Sequence, residues 1–423
     1  MNFIKRVVVE GFWGDKKIDL NLEEDVNFLV GVNGSGKTTF INLIASVLKA
    51  DFSNLDKIEF DKIRIVLKES KGRKKPEVVV EKKEVPGSPF GSIEYSIKAS
   101  ASESPTVYPL DDFAERMLYR DIPHARFSRE MRKVYGKDVI ESLNMLTQVS
   151  WLSVHRAPPT DERSKLFEST VDRKLDELSN RLVRYFSTLN LQGAALLEKF
   201  QETIFLSMLV GRHQKDLFNR DSNLDLESEK EALNSIFSQF NLDKKKYSAR
   251  VEHHFSTLSK ATDKANSNQG LSYIDVAAIV LNDRIDQIIE DWNLLIKRRE
   301  TIFRPREIFL SIVNGLMQRK SFDINDKNEL DVTTQSGKKL PIRFLSSGEK
   351  QLLIILGEAL LQEKSACIYI ADEPELSLHV MWQERLVDNL LALNPNAQII
   401  FATHSPDVVS SYGNKVIKME EQF

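Results

Sequence analysis

Gly31-Val32-Asn33-Gly34-Ser35-Gly36-Lys37-Thr38 is the stretch that decides the fold. It matches G-x-x-x-x-G-K-[ST], the phosphate-binding loop pattern. Its flanks are those the loop needs: Asn27-Phe28-Leu29-Val30 reads as a short strand, and Thr39 to Leu48 as a helix. Glycines let the backbone curl so that successive N–H groups point at phosphate oxygens, and the helix start adds positive potential. Asn33, Gly34, Ser35, Gly36, Lys37, Thr38 and Thr39 are therefore candidate nucleotide-binding residues. In that chemistry Lys37 neutralises the β- and γ-phosphates and Thr38 ligates Mg²⁺.

The loop needs acidic partners, and a second stretch supplies them. Cys367-Ile368-Tyr369-Ile370-Ala371-Asp372-Glu373 is an apolar strand pattern tipped with two carboxylates. Carboxylates avoid cores, and at the carboxyl end of a parallel strand they face the ligand crevice. Asp372 is the candidate Mg²⁺ ligand, and Glu373 the candidate base that orients and deprotonates the attacking water.

Both ends of the chain alternate strands and helices. Ile4–Val9, Lys17–Leu20 and Val26–Val30 precede the loop, and Ile63–Val66, Val78–Val80 and Ile93–Ile97 follow it, separated by the turn-rich Lys71-Gly72-Arg73 and Pro86-Gly87-Ser88-Pro89. These predict an antiparallel sheet beside a nucleotide-binding core. Val149–Val154 is another expected strand. Leu330–Thr333 and Lys339–Phe344 around Gln335-Ser336-Gly337 predict a hairpin, followed by a helix from Ser347, a helix from about Val380 and a strand at Ala397–Ala402.

The middle reads as helix. Val171, Leu175, Leu178, Leu182, Tyr185 and Leu189 alternate spacings of four and three. Ile274, Ala278, Leu281, Ile285, Ile288, Trp292 and Leu295 do the same, as amphipathic bundle helices or a short coiled coil. Polar breaks at 219–223 and 266–270 divide this part. The expected organisation is one α/β domain in two pieces, residues 1–156 and 311–423, with a helical insertion at 157–310.

Composition limits the function classes. The 423 residues are 41% apolar and 29% charged with a net charge of −3, which argues against a whole-surface nucleic-acid binder. One cysteine, Cys367, excludes an intramolecular disulfide framework, and no apolar run nears the roughly 20 residues that span a bilayer. A cytoplasmic location with no membrane partner is the expectation. The basic stretches Arg64 to Lys83, Arg116 to Lys137 and Lys297-Arg298-Arg299 are interleaved with acids and read as solvated faces. His253-His254 lacks metal-ligand spacing and reads as an exposed helix pair.

Leu345-Ser346-Ser347-Gly348-Glu349-Lys350-Gln351 resembles the signature motif of ABC ATPases, with Ser347 where the commonest version has glycine. Asp372-Glu373-Pro374-Glu375-Leu376-Ser377-Leu378-His379 resembles the Walker B and D-loop wording of overcoming-lysogenization-defect type ATPases. Ile399 to Pro406 looks like the switch region, which puts His404 at the γ-phosphate. The matching segments cover roughly residues 1–60 and 340–415. The resemblance implies an ABC-type P-loop NTPase head, a mixed sheet with an antiparallel β subdomain, as in the SMC and RecF groups. It implies ATP and Mg²⁺ as cofactors, with ATP held between two copies. Ser346, Ser347, Gly348 and Glu349 of one copy would face the nucleotide bound by the other; as a bare residue, Ser346 could equally be a helix cap.

The glutamine of the family's Q-loop has no clear counterpart: His155 is nearest, with Arg156 after it and Gln148 before the strand. Phe12 or Trp13 could stack on adenine or serve the core. An insertion of about 150 residues is too short for the long arms of SMC-type proteins, since half of it as one helix spans only about 110 Å. Size, insertion and wording together resemble ATPase subunits of bacterial anti-phage defence systems (Septu, retron-associated, PARIS). That resemblance implies a homodimer through ATP, extending to a ring or hexamer, and control of a separate nuclease effector. The chain's expected lack of room for a nuclease of its own points the same way. A DNA-clamping repair ATPase, with DNA as partner, and a slowly hydrolysing scaffold stay open as alternatives.

Overall fold

In the computed structural model, residues 2–70, 72–83, 92–109, 136–152, 170–207, 226–240, 242–267 and 269–422 are described. The turn at Pro86–Pro89, most of the basic stretch after Arg116, the Q-loop candidates His155 and Arg156, and the break at 219–223 lie outside them, as do Lys71, Ser153, Val154 and Asn268.

The chain opens with β1 (Asn2–Phe12), β2 (Lys16–Asn21) and β3 (Val26–Val30), then α1 (Lys37–Leu48) and α2 (Phe52–Lys57). Strands β4 (Lys62–Glu69), β5 (Glu77–Lys83), β6 (Ser92–Lys98) and β7 (Thr106–Pro109) follow, with α3 (Gly136–Leu146) and β8 (Val149–Leu152). Next among the described residues come α4 (Thr170–Ser207), α5 (Leu226–Gln239), α6 (Lys244–Asn266) and α7 (Tyr273–Leu316). The last part holds β9 (Lys320–Ile324), β10 (Leu330–Thr334), α8 (Ser347–Leu360), β11 (Cys367–Asp372), α9 (Val380–Gln383), α10 (Leu386–Leu393), β12 (Ala397–Ala402), α11 (Pro406–Val409) and β13 (Val416–Lys418).

Two sheets carry the candidate site's scaffold. The five-stranded sheet, in the order β13-β3-β12-β11-β8, is parallel throughout. Its central strand β12 is buried at every residue and β11 at all but its last, which is how strands covered on both faces read. The six-stranded sheet, in the order β2-β1-β4-β5-β6-β7, is antiparallel. One apolar core joins them, with Phe40 and Ile44 of α1, Val7 of β1, Ile65 of β4 and Ile370 of β11 all fully buried in it. Gln398 ties the sheets by polar bonds as well: its Oε1 accepts from Ile4 N–H at 2.8 Å and its Nε2 donates to Ile4 O at 2.8 Å. This is the mixed α/β architecture expected for the head.

The chain divides into two compact units, residues 1–185 with 305–423, and residues 186–304. The division falls inside α4 and α7. Within the second unit, Phe200, Ile236, Trp292 and Leu295 bury one cluster, and Val251, Phe255 and Leu258 another.

Several segments differ from expectation. The strand at Lys339–Phe344 does not form: Lys339 makes one bridge to Thr333, and 342–344 is a 3₁₀ turn. Pro341 lacks the N–H that a ladder needs, so β10 pairs instead with β9. In α4 the periodic residues Leu175, Leu178, Leu182, Tyr185 and Leu189 are buried as the spacing requires, but in α7 Ile274 is 66% and Leu281 50% exposed. His254 is half-buried and not exposed, its ring edge-on to Phe255. In the described part of the first basic stretch, Arg64 pairs with Glu77, Lys68 with Glu24 and Lys83 with Glu94. Among the described residues no helix is long and apolar enough to cross a membrane, and no group of His, Cys, Asp and Glu has a metal-binding arrangement.

Candidate functional site

The phosphate-loop residues connect β3 to α1 at the carboxyl edge of the parallel sheet. Gly34 and Gly36 take left-handed backbone, at φ +84° and +83°, which a side chain would strain. Gly36 has a second reason to lack a Cβ: one would sit 3.0 Å from the Trp13 ring and 3.2 Å from the Phe12 ring. No side chain caps α1, so the N–H groups of its first turn remain available at the loop, as an anion site requires. Asn33 and Gly34 are exposed, Ser35 and Gly36 are buried, and Thr38 and Thr39 are half-buried.

Lys37 is only 5% exposed. Its ammonium donates to Gly31 O at 2.9 Å, Val32 O at 3.0 Å and Ser35 Oγ at 3.4 Å, so the loop is curled around it. Among the described residues it makes no ion pair. Burial lowers its pKa from the ordinary lysine value, while the nearby charges of Glu373, Asp372 and Glu420 pull the other way. A buried cation held by neutral oxygens is ready for an anion, because burying a charge is costly until it is paired.

Parallel pairing of β11 with β12, and of β12 with β3, brings the acidic tip beside this loop. Thr38 Oγ1 donates to Asp372 Oδ1 at 2.9 Å, across 334 residues of sequence. A hydroxyl touching a carboxylate at this edge fits the oxygen donors a hard dication takes. Glu373 has left-handed backbone, φ +45°, and its N–H donates to Ala402 O at 2.8 Å. His404 Nε2 lies 3.8 Å from Glu373 Oε1, both side chains about a third exposed.

The signature-like segment starts α8. Ser346 is its N-cap, in a capping box in which Glu349 N–H donates to Ser346 Oγ at 3.3 Å and Ser346 N–H to Glu349 Oε2 at 2.8 Å. Glu349 also pairs with Lys320. Burial opposes ionisation of Glu349, but the bonds from Lys320 and Ser346 outweigh it and hold the carboxyl below the usual range. Ser346 and Ser347 are exposed, and Gly348 is buried where a Cβ would collide with the Ser377 carbonyl. Gln351 Nε2, buried, donates to Pro374 O at 3.0 Å. None of the hydrogen bonds or ion pairs of residues 346–349 among the described residues reaches the phosphate loop.

Three contacts were not expected from sequence. Trp13 is 37% exposed beside Gly36, whereas Phe12 is fully buried. The Glu420 carboxylate accepts from Val32 N–H, from a short helical turn near the chain's far end. Glu375 is buried and bonded to the His404 backbone; its only sequence signal was a third acid in Asp-Glu-Pro-Glu. Gln148 lies just before β8, and its carbonyl accepts from Ile368 N–H at the amino end of the sheet, away from the loop.

A 142-residue stretch is 31% identical to the retron Vc95 probable ATPase of Vibrio cholerae serotype O1 biovar El Tor, covering 31% of this chain and 26% of that protein. Rad50 DNA double-strand break repair ATPases are similar over 110 residues at 30% identity in Sulfurisphaera tokodaii (25% of this chain, 12% of that one) and over 241 residues at 25% in Sulfolobus acidocaldarius (49% and 25%). The matched stretches thus span about a quarter or less of these curated relatives. The Smc head domain of Pyrococcus furiosus, solved with the C-terminal domain of ScpA, superposes at a TM-score of 0.43 and 14% identity, over 97% of this chain and 91% of that one. The model of the AAA ATPase domain family matches residues 3–409, and the chain belongs to that family.

Proposed function

We propose that the chain binds ATP with Mg²⁺ on residues 33–39 and hydrolyses it, and that Ser346, Ser347 and Gly348 of a second copy complete each site. The observation that carries this reading is the meeting of Thr38 with Asp372, and of Glu373 with His404, at the sheet edge that holds the loop. Thr38 and Asp372 would hold Mg²⁺, which when bound neutralises charge on the phosphate oxygens. Lys37 neutralises the β- and γ-phosphates, and the free N–H groups of α1 cradle them. Glu373 accepts a proton from the attacking water, and His404 steadies the γ-phosphate end. Trp13, exposed beside Gly36, is the better placed of the two aromatics for adenine. Glu349, engaged by Ser346 and Lys320, supports the signature start and is less free to reach a nucleotide.

A second copy is favoured because the start of α8 turns exposed hydroxyls to solvent while making no bond to its own phosphate loop. At system level the chain is read as the ATPase subunit of a bacterial anti-phage defence complex, a dimer or larger ring restraining or delivering a separate nuclease. The similarity to a retron probable ATPase supports this. The similarity to Rad50 ATPases supports the second reading, a repair ATPase that clamps DNA. Phosphate release by the purified chain, with and without duplex DNA and with a co-expressed neighbouring nuclease, tests both. Stable retention of the nuclease without DNA stimulation is expected; strong DNA stimulation with no nuclease retained would favour the repair reading.

A further inference from the structure

We propose that Glu375 is a positioning residue for ATP hydrolysis, holding the backbone of His404 so that its imidazole faces the Glu373 carboxylate. The inference rests on the reading of Glu373 and His404 as hydrolytic groups.

Glu375 lies two residues past Glu373, and its side chain is 7% exposed. Its Oε1 accepts from Thr403 Oγ1 and from His404 N–H, the latter at 3.2 Å. Thr403 is fully buried, its N–H donates to Leu29 O at 3.1 Å, and its Oγ1 also accepts from Ser405 N–H at 3.0 Å. One oxygen of Glu375 therefore holds Thr403 and His404 directly, and Ser405 through the Thr403 hydroxyl. Glu373 is fixed by its N–H to Ala402 O, the residue before that turn. Both groups of the 3.8 Å pair thus hang from neighbouring backbone, and Glu375 sets the His404 half. A displacement of about 1 Å at such a pair is enough to slow a reaction strongly.

The second oxygen explains why a carboxyl suits the position. Glu375 Oε2 is buried and has no hydrogen-bond partner among the described residues. Burial raises its pKa above the ordinary carboxylate value, and the bonds from Thr403 and His404 offset this only in part. The nearby Glu373 charge pushes the same way as burial, so ionisation of Glu375 is opposed on the side where a polyphosphate must bind. A packing role alone would require only bulk at this position.

The test is steady-state hydrolysis of Mg-ATP by the full chain, with ATP binding measured directly. Glu375→Leu is expected to lower kcat by about 30-fold or more with the KM for ATP changed less than about threefold. Glu375→Gln, which keeps the acceptor, is expected to recover most of that loss. Combining Glu375→Leu with His404→Ala should be no worse than His404→Ala alone. If Glu375→Leu does not fold by thermal melt, Glu375→Asp serves, since retracting the carboxyl by one methylene should give the same kcat-only loss. A leucine or aspartate variant with kcat near the natural chain's would overturn the proposal, as would a glutamine variant no better than leucine or a fully additive double variant. If the natural chain hydrolyses ATP and His404→Ala is impaired while Glu375 variants are not, only this inference fails. An unmodified chain that releases no phosphate overturns the hydrolytic reading and the inference with it.

Discussion

Two glycine-bearing loops precede helices in the head, and they handle their helix starts in opposite ways. The loop at 31–36 leaves α1 without a side-chain cap and wraps around the Lys37 ammonium. The segment at 345–348 seals its own helix with the Ser346–Glu349 box and leaves Ser346 and Ser347 exposed. The first arrangement is poised for an anion within the chain. The second is finished as a local structure, so its exposed hydroxyls can serve a ligand brought by another molecule without any rearrangement of α8. The difference is what the two-copy reading predicts for the halves of one site.

The largest effects should fall on the first loop. Glu373→Gln is expected to cut ATP turnover by about 10²-fold or more while retaining bound nucleotide, and Lys37→Ala to lose both binding and turnover. Light scattering with ATP and Mg²⁺ should give a dimer for Glu373→Gln and a monomer for Lys37→Ala; monomers throughout would overturn the two-copy reading. Mixing sharpens it. Lys37→Ala and Ser346→Arg chains, each inactive alone, should recover activity when mixed at equal amounts, because one of the two sites of a mixed dimer pairs an intact loop with an intact helix start. No recovery in a mixture shown to form heterodimers would mean that each site is complete within one chain.

Glycine replacements come next. Gly36→Ala places a Cβ at φ +83° against Trp13 and Phe12, and Gly348→Ala places one against the Ser377 carbonyl. Each should lower stability by about 1–3 kcal/mol in a denaturant titration. ATP affinity should fall for Gly36→Ala, whereas Gly348→Ala should lose turnover and dimerisation with monomer affinity kept. The smallest effects belong to the cap. Ser346→Ala should cost about 1 kcal/mol. Glu349, held below the usual carboxylate range, contributes stability that is present above the unfolded-state pKa and lost as pH falls through its depressed folded-state value. Glu349→Gln should flatten that acid limb of a melting-temperature profile.

Much of the head could be read from the chain alone. β3, β11 and β12 are short apolar runs ending at the loop, at the acids and at His404, and period and flanks are enough to find such strands. The strand expected after Lys339 failed because Pro341 removes a donor, a local signal that the alternation of apolar residues outweighed. β7 and β13, of four and three residues, are too short to carry a period. The α7 pattern misled at Ile274 and Leu281 because spacing tells which residues share a face but not what covers that face. Glu375 was legible only as one more acid in a loop, since its burial depends on where Thr403 and His404 arrive.

Local sequence is enough to specify which pieces form: a curled glycine loop, acid-tipped and histidine-tipped strands, a capped helix start. Each of these depends on residues within one or two turns of one another. Which pieces meet follows from the fold: Thr38 with Asp372 across 334 positions, Val32 with Glu420 across 388, and Glu375 with His404 around the end of a parallel strand. Such contacts depend on strand order, and strand order is set by burying both faces of the sheet at once, a constraint that no short window of sequence contains.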